Sequence, residues 1–243
     1  MRKMENNVVI NNYCWVACWD LLGFKKEILR FEKQHGVGHL DSFVKVPYND
    51  ILDALQHGEK EWNGRVFACW GSDTFVFYTS DDSIQSFNAI SAAAIHFCCR
   101  LLLHSIFTFR GALGTGQFYA DKQNNVFLGS AFIDAYKYAE KQNWIGFVVT
   151  PSVENKVSGI KSAIKIQPNS FLYQYTKYNV PIKTQEAGEG KTEKLFAACI
   201  HRYNPLFRVN IVSNQCDAKN DKNYEIKYKV KYENTLKFIN ETI

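Results

Sequence analysis

The chain has 243 residues, 46% apolar and 15% aromatic, enough for one full domain with a sizeable core or for one domain with an extension. Its net charge is +5, but the lysines scatter and concentrate only late, at Lys219–Lys231, so a solvated face is expected there and nucleic acid is not expected as a partner. The seven cysteines include the adjacent Cys98 and Cys99 and no Cys-x-x-Cys spacing, which argues against a disulfide framework or a zinc site and for reduced thiols in a cytoplasmic chain.

Met1–Asn12 carries no apolar core of the kind a signal peptide has. Tyr13–Trp19 reads as a buried strand, and Phe24, Ile28 and Phe31 recur at helical spacing through Gly23 to Gln34. Asp20 is therefore expected at a strand-to-helix turn, where alone it would read as a helix cap. Gly36–Gly58, with Pro47, reads as an irregular or short helical insertion. Arg65–Trp70 and Thr74–Tyr78 form two β-rich runs joined by Gly71 and Ser72, which predicts a tight hairpin with Asp73 at its tip.

Ala89–Phe109 is nearly all apolar and is the one stretch that resembles a membrane span. His96, Arg100 and His104 share one helical stripe, and a central Arg is costly in a bilayer, so a packed helix under a sheet is expected, with no membrane and with the stripe structural or at a subunit interface. A strand over 107–119, a helix over 129–141 and a strand over 144–150 follow. Gly188–Thr192 ends like a phosphate-binding loop, but Gln185 stands where its first glycine belongs, and Thr184–Lys194 reads as an exposed loop. Tyr224–Ile239 predicts a closing helix with Tyr228, Tyr232 and Leu236 on one face.

The chemistry-bearing pair is Asp20 and Asp73. Helix amides at Leu22, Gly23 and Phe24 attract a polyphosphate, while two carboxylates, helped by the Leu21 carbonyl, can hold two hard cations such as Mg²⁺ or Mn²⁺. That combination is what phosphoryl transfer requires.

Four motifs stand in one order: Asp20-Leu21-Leu22-Gly23-Phe24, the hairpin Asp73, Arg110-Gly111-Ala112-Leu113-Gly114-Thr115-Gly116, and Leu128-Gly129-Ser130-Ala131-Phe132-Ile133-Asp134-Ala135. In order and spacing they resemble the class III nucleotide cyclase domain over about Val8 to Ser152, and Phe109–Phe118 with Phe127–Pro151 are most similar to the pyrimidine cyclases of the bacterial Pycsar antiphage systems. The resemblance implies an α/β (α+β) fold, a ferredoxin-like βαββαβ palm, with residues 8–152 as catalytic core and 153–243 as a C-terminal extension completing the domain. It implies a nucleoside triphosphate substrate, two divalent cations, a head-to-tail homodimer and a separate effector that senses the cyclic nucleotide.

Departures from the purine cyclases are equally specific. Where those enzymes carry Asn and Arg on the helix after the glycine that matches Gly129, this chain has Ile133 and Lys137. A Lys supplies charge without the Arg fork, so Lys137 is expected to take over part of the transition-state role. At the purine-reading positions stand Ala68 or Cys69 and Val126. A pocket narrowed by Phe67 and Trp70, with Arg65 on the same strand and Arg110 as a further substrate contact, is expected to favour UTP, then CTP. The competing readings are a purine cyclase, a nucleotide-binding module without catalysis, and another phosphoryl transferase.

Overall fold

The computed structural model describes residues 9–104, 108–161, 175–183, 191–203, 206–220 and 226–242. The first half of the chain alternates strands and long helices: β1 (Val9–Leu22), α1 (Phe24–His35), α2 (Leu40–Trp62), β2 (Val66–Gly71), β3 (Thr74–Thr79) and α3 (Ile84–His104). Then follow β4 (Thr108–Asp121), β5 (Val126–Leu128), α4 (Ser130–Lys141), β6 (Gly146–Val149) and α5 (Pro151–Lys161). β7 (Tyr175–Pro181), β8 (Thr192–Ala198), α6 (Ile200–Tyr203), α7 (Leu206–Asn220) and α8 (Ile226–Glu241) complete the chain.

The strands form one sheet in the order β2-β3-β1-β4-β6-β8-β7, with β5 paired to β4. β1 runs antiparallel to both β3 and β4, whereas β4 and β6 are parallel and joined through α4. This mixed α+β architecture, with βαββαβ order through β4 and with α4 and β6 following, is the palm expected from the sequence. β7 and β8 extend the same sheet.

Side chains of β1 alternate between two cores. Trp15, Ala17, Trp19 and Leu21 enter a large cluster with Phe75, Phe77, Phe97 and Phe147, closed by α3. Cys14, Val16 and Cys18 enter a smaller one with Val76, Tyr78 and Phe118, closed by Ala131 and Ala135 of α4. The period of two in a strand puts Asp20 on the α4 face with Cys18.

Three expectations change and a fourth is narrowed. Asp20 lies inside β1, not at the turn, because pairing with Thr74 and Arg110 carries the strand on to Leu22. The residues expected as an irregular insertion belong largely to α2, a single helix with Pro47 inside it. Burial explains it: Pro47, Ile51, Ala54 and Gly58 share one face against α3, and a Cβ on Gly58 would stand 2.4 Å from the Ala89 carbonyl oxygen. Two residues of the α3 stripe are tied within the chain, as the structural alternative expects: Asp53 accepts from His96 at 2.8 Å, and Arg100 reaches Asp50 at 3.2 Å and Asp53 at 3.3 Å. The His104 side chain lies outside the described residues. The expected loop over 184–194 ends early, since β8 begins at Thr192; 184–190 lie outside the described residues, and a strand, not a phosphate-binding helix, follows Lys191.

α3 is the one described helix long and apolar enough to cross a membrane by length and composition, and 78% of its most apolar window is buried within the protein. α8 forms where the sequence placed a closing helix and is pinned to the turn before β6, where Thr235 Oγ1 receives the Ile145 N–H at 2.8 Å and Asn234 donates to the Asn143 carbonyl at 2.8 Å.

Candidate active site

The pairing register builds the site. The turn between β2 and β3 contains Ser72 in the left-handed region (φ 54°) and folds Asp73 back toward β1, where its carbonyl accepts the Leu21 N–H at 2.9 Å. Asp20 and Asp73 are thereby held at the same end of the sheet, one on β1 and one on the turn beside it. Gly23, at φ 79°, makes the sharp exit from β1 into α1. None of the twelve residues of α1 is buried, and its start has no side-chain cap, so the amides that follow Gly23 are not satisfied by Asp20.

Asp20 is committed elsewhere. Its register partner Arg110 donates Nε to Asp20 Oδ2 at 2.6 Å and brings Nη2 to the same oxygen, while Nη1 donates to the Gln142 carbonyl at 3.2 Å. Gln142 is fully buried, and its amide is satisfied on every side: Nε2 donates to the Gly111 and Tyr138 carbonyls, and Oε1 accepts from Trp144 Nε1.

α4 closes the site from the same face. It lies close to the sheet because β4 is glycine-rich there: a Cβ on Gly114 would stand 2.9 Å from the Ala131 oxygen and 3.0 Å from the Ala135 nitrogen. Its buried residues, Ala131, Ala135 and Ala139, are equally small. Its outer residues include Ile133, Tyr136, Lys137 and Glu140. Partial desolvation, and after it the negative charge of Glu140, Asp20 and Asp73, raises the Tyr136 phenol, so this ring stands in the field of both carboxylates. Lys183, just after β7, has its ammonium lowered first by desolvation and then by the Arg110 charge, with Glu140 and Asp20 opposing.

The expected site residues are thus distributed unevenly. Asp20, Leu21, Asp73 and Arg110 come together, with Leu22, Gly23 and Phe24 adjoining them along the chain. Lys137 is exposed on α4. Phe67 and Trp70 do not share a pocket. Phe67 stacks on Tyr78 at 5.4 Å under the Arg65 guanidinium on the α4 face, whereas Trp70 packs on Phe75 at 4.8 Å toward α3. An odd separation along a strand sends two side chains to opposite faces, so Cys69, not Trp70, neighbours Phe67 on the site side. Tyr136, Glu140 and Lys183 were missed. Helical spacing of the buried alanines marks Tyr136 and Glu140 as outward residues, but nothing local connects Lys183 to Arg110.

Among the described residues, no three His, Cys, Asp or Glu side chains gather to hold a metal ion. Two carboxylates and a backbone carbonyl are nevertheless the oxygen donors that Mg²⁺ or Mn²⁺ prefers, and such ions take further oxygens from a bound polyphosphate. The donor set fits a cation that arrives with its substrate.

No protein-family model matches the chain, and no curated protein matches it. Solved structures do. The catalytic core of a rhodopsin-guanylyl cyclase with converted specificity, in complex with ATPalphaS, superposes with a TM-score of 0.51 at 12% identity over 80% of this chain and 98% of that one. The chain has the fold of a class III nucleotide cyclase core. Looser matches are the adenylyl cyclase CyaB from P. aeruginosa (TM-score 0.45, 12% identity, 79% of this chain and 95% of that one) and a bacterial light-regulated adenylyl cyclase (TM-score 0.45, 11% identity, 85% and 99%). At these identities the likeness concerns the fold, and the chemistry rests on the residues.

Proposed function

We propose that the protein is a nucleotide cyclase that converts a nucleoside triphosphate to a 3′,5′-cyclic nucleotide and pyrophosphate. One observation carries the reading: on a cyclase fold, the Leu21–Asp73 hydrogen bond brings the turn carboxylate to the strand that bears Asp20. Asp20, Asp73 and the Leu21 carbonyl are the groups that would hold two divalent cations, Mn²⁺ or Mg²⁺. When bound, those ions make the ribose 3′-hydroxyl more acidic and screen the phosphate charge.

The chain's own groups do the rest. Amides at Gly23 and Phe24, with Leu22 at the end of β1 beside them, bind the triphosphate at the start of α1, and Arg110 and Lys183 add positive charge beside it. The 3′-oxygen forms a bond to the α-phosphorus in line with the leaving group, the bond from that phosphorus to the pyrophosphate oxygen breaks, and the hydroxyl proton passes to solvent. Lys137, exposed on α4, serves the site of a second copy in a head-to-tail homodimer. The exposed Leu128, Ile133 and Tyr136 around α4 supply an apolar surface for that contact. Residues 8–152 act as the catalytic core, and residues 153–243 complete the domain.

The base is a pyrimidine, UTP ahead of CTP, because the site-facing residues of β2 itself, Phe67 and Cys69, are both uncharged. A purine substrate is the second reading, favoured by the ATPalphaS held in the similar guanylyl cyclase core. The product acts in the cytoplasm as an antiphage second messenger on a separate effector. Incubating the protein with each of the four nucleoside triphosphates and Mn²⁺, with products identified by mass, tests both levels. Cyclic UMP in excess is expected; cyclic AMP or GMP in excess leaves only the cyclase reading, and nucleotide binding without any cyclic product leaves a binding module. Mixing Asp20→Ala with Lys137→Ala chains is expected to restore activity, and failure to complement overturns the shared site.

A further inference from the structure

We propose that Arg110 is a latch on Asp20, so that a divalent cation and a polyphosphate enter the site together and each binds poorly without the other. The inference rests on the cyclase reading and adds an order of events to it. Asp20 and Arg110 are direct register partners on β1 and β4, and two guanidinium nitrogens of Arg110 converge on one carboxylate oxygen of Asp20. Arg110 is 7% exposed, and its third nitrogen is fixed by the carbonyl of the fully buried Gln142. The next residue, Asn143, is held in turn by Lys231 and Asn234 of α8. The guanidinium is therefore anchored from behind and turned toward the oxygens that a hard cation needs. Asp73 makes no ion pair among the described residues.

A cation alone must take Asp20 from Arg110 and leave a buried guanidinium without an anion, which is unfavourable. A polyphosphate alone meets an Arg110 already neutralised and two nearby carboxylates that repel it. Together they exchange partners: the cation takes Asp20 and Asp73, and the guanidinium fork passes to phosphate oxygens, for which its geometry is suited. The coupling is reciprocal, since each ligand raises the affinity of the other by one shared factor.

Calorimetric titration of the intact chain with Mn²⁺, with inorganic tripolyphosphate and with their complex tests this without reference to the base. In the wild type the complex is expected to bind at least about tenfold more tightly than either component. Arg110→Gln is expected to bind Mn²⁺ alone about tenfold more tightly than wild type and to lose the advantage of the complex. Arg110→Lys, which keeps the charge without the fork, should fall between them, and its thermal melt shows whether the fold survives. If Arg110→Gln and Arg110→Lys bind Mn²⁺ no more tightly than wild type while all bind the complex, the latch is overturned and the cyclase site stands. If Mn²⁺ and tripolyphosphate bind the wild type independently, the latch is overturned without any variant. If Asp20→Asn and Asp73→Asn bind the complex as wild type does, the site reading fails and the latch with it.

Discussion

The two faces of the sheet solve opposite problems. On the α3 face, Trp15, Trp19, Phe75, Phe77 and Phe97 are all fully buried, and Trp19 meets Phe77 at 4.8 Å, Phe97 at 5.2 Å and Phe147 at 5.2 Å. On the α4 face the contact is made by glycine and alanine, so the helix sits against the strands and its outer residues reach the sheet end that carries Asp20. The helix starts differ as well. Asp81 accepts the Ser83 N–H at 2.9 Å and the Ser86 hydroxyl at 2.7 Å ahead of α3, whereas α4 starts from Gly129 with no side-chain cap. Large interlocked rings secure one face, and close approach on the other positions charge.

The comparison can be broken by mutating each face in turn. Trp19→Ala empties the centre of the aromatic cluster and should cost about 3–5 kcal/mol in denaturant unfolding. Asp20→Ala should cost about 3 kcal/mol and abolish cyclisation, because it orphans the buried Arg110. Asp73→Asn, at a turn without an ion pair among the described residues, should abolish cyclisation while changing stability by less than about 0.5 kcal/mol. Equal stability losses for the two Asp variants would remove the distinction between a latched and an unlatched carboxylate. Gly114→Val should cost about 1–3 kcal/mol by lifting α4, with a larger loss of activity than its loss of stability explains.

Smaller effects sharpen the contrast. Burial opposes ionisation of Asp81, but its bonds from Ser83, Ser86 and Ser80 together hold the carboxyl below the usual range. A carboxyl lowered on folding stabilises above its unfolded value and loses that contribution as pH falls through the folded value. The stability difference between wild type and Asp81→Asn should therefore be constant near neutrality and vanish in acid. Burial also pushes the thiols of Cys14, with a further push from Asp81, and of Cys99 up to about 12, so both should react with a thiol reagent at pH 8 only as the chain unfolds.

By itself the sequence determined the elements whose signals are local. Short apolar, β-rich runs wrote β1, β3 and β4, the Gly71-Ser72 pair wrote the turn that carries Asp73, and helical spacing wrote α3, α4 and α8. It also marked Asp20, Asp73 and Arg110 as chemically significant. Tertiary structure alone decided the partners. Whether Gly36–Gly58 is loop or helix depends on the α3 surface that buries Pro47 and Ile51, and no window of the sequence contains both helices. That Trp70 faces away from Phe67 follows from a period of two, but which face holds the site is set by where α4 docks. The bond from Arg110 to Asp20 spans ninety residues and exists because β1 and β4 pair in one register. Lys183 arrives from a strand that only long-range pairing adds to the sheet. Periodicity is written in neighbouring residues, whereas the field at a site is the sum of charges that the chain brings together only once its strands have chosen their neighbours.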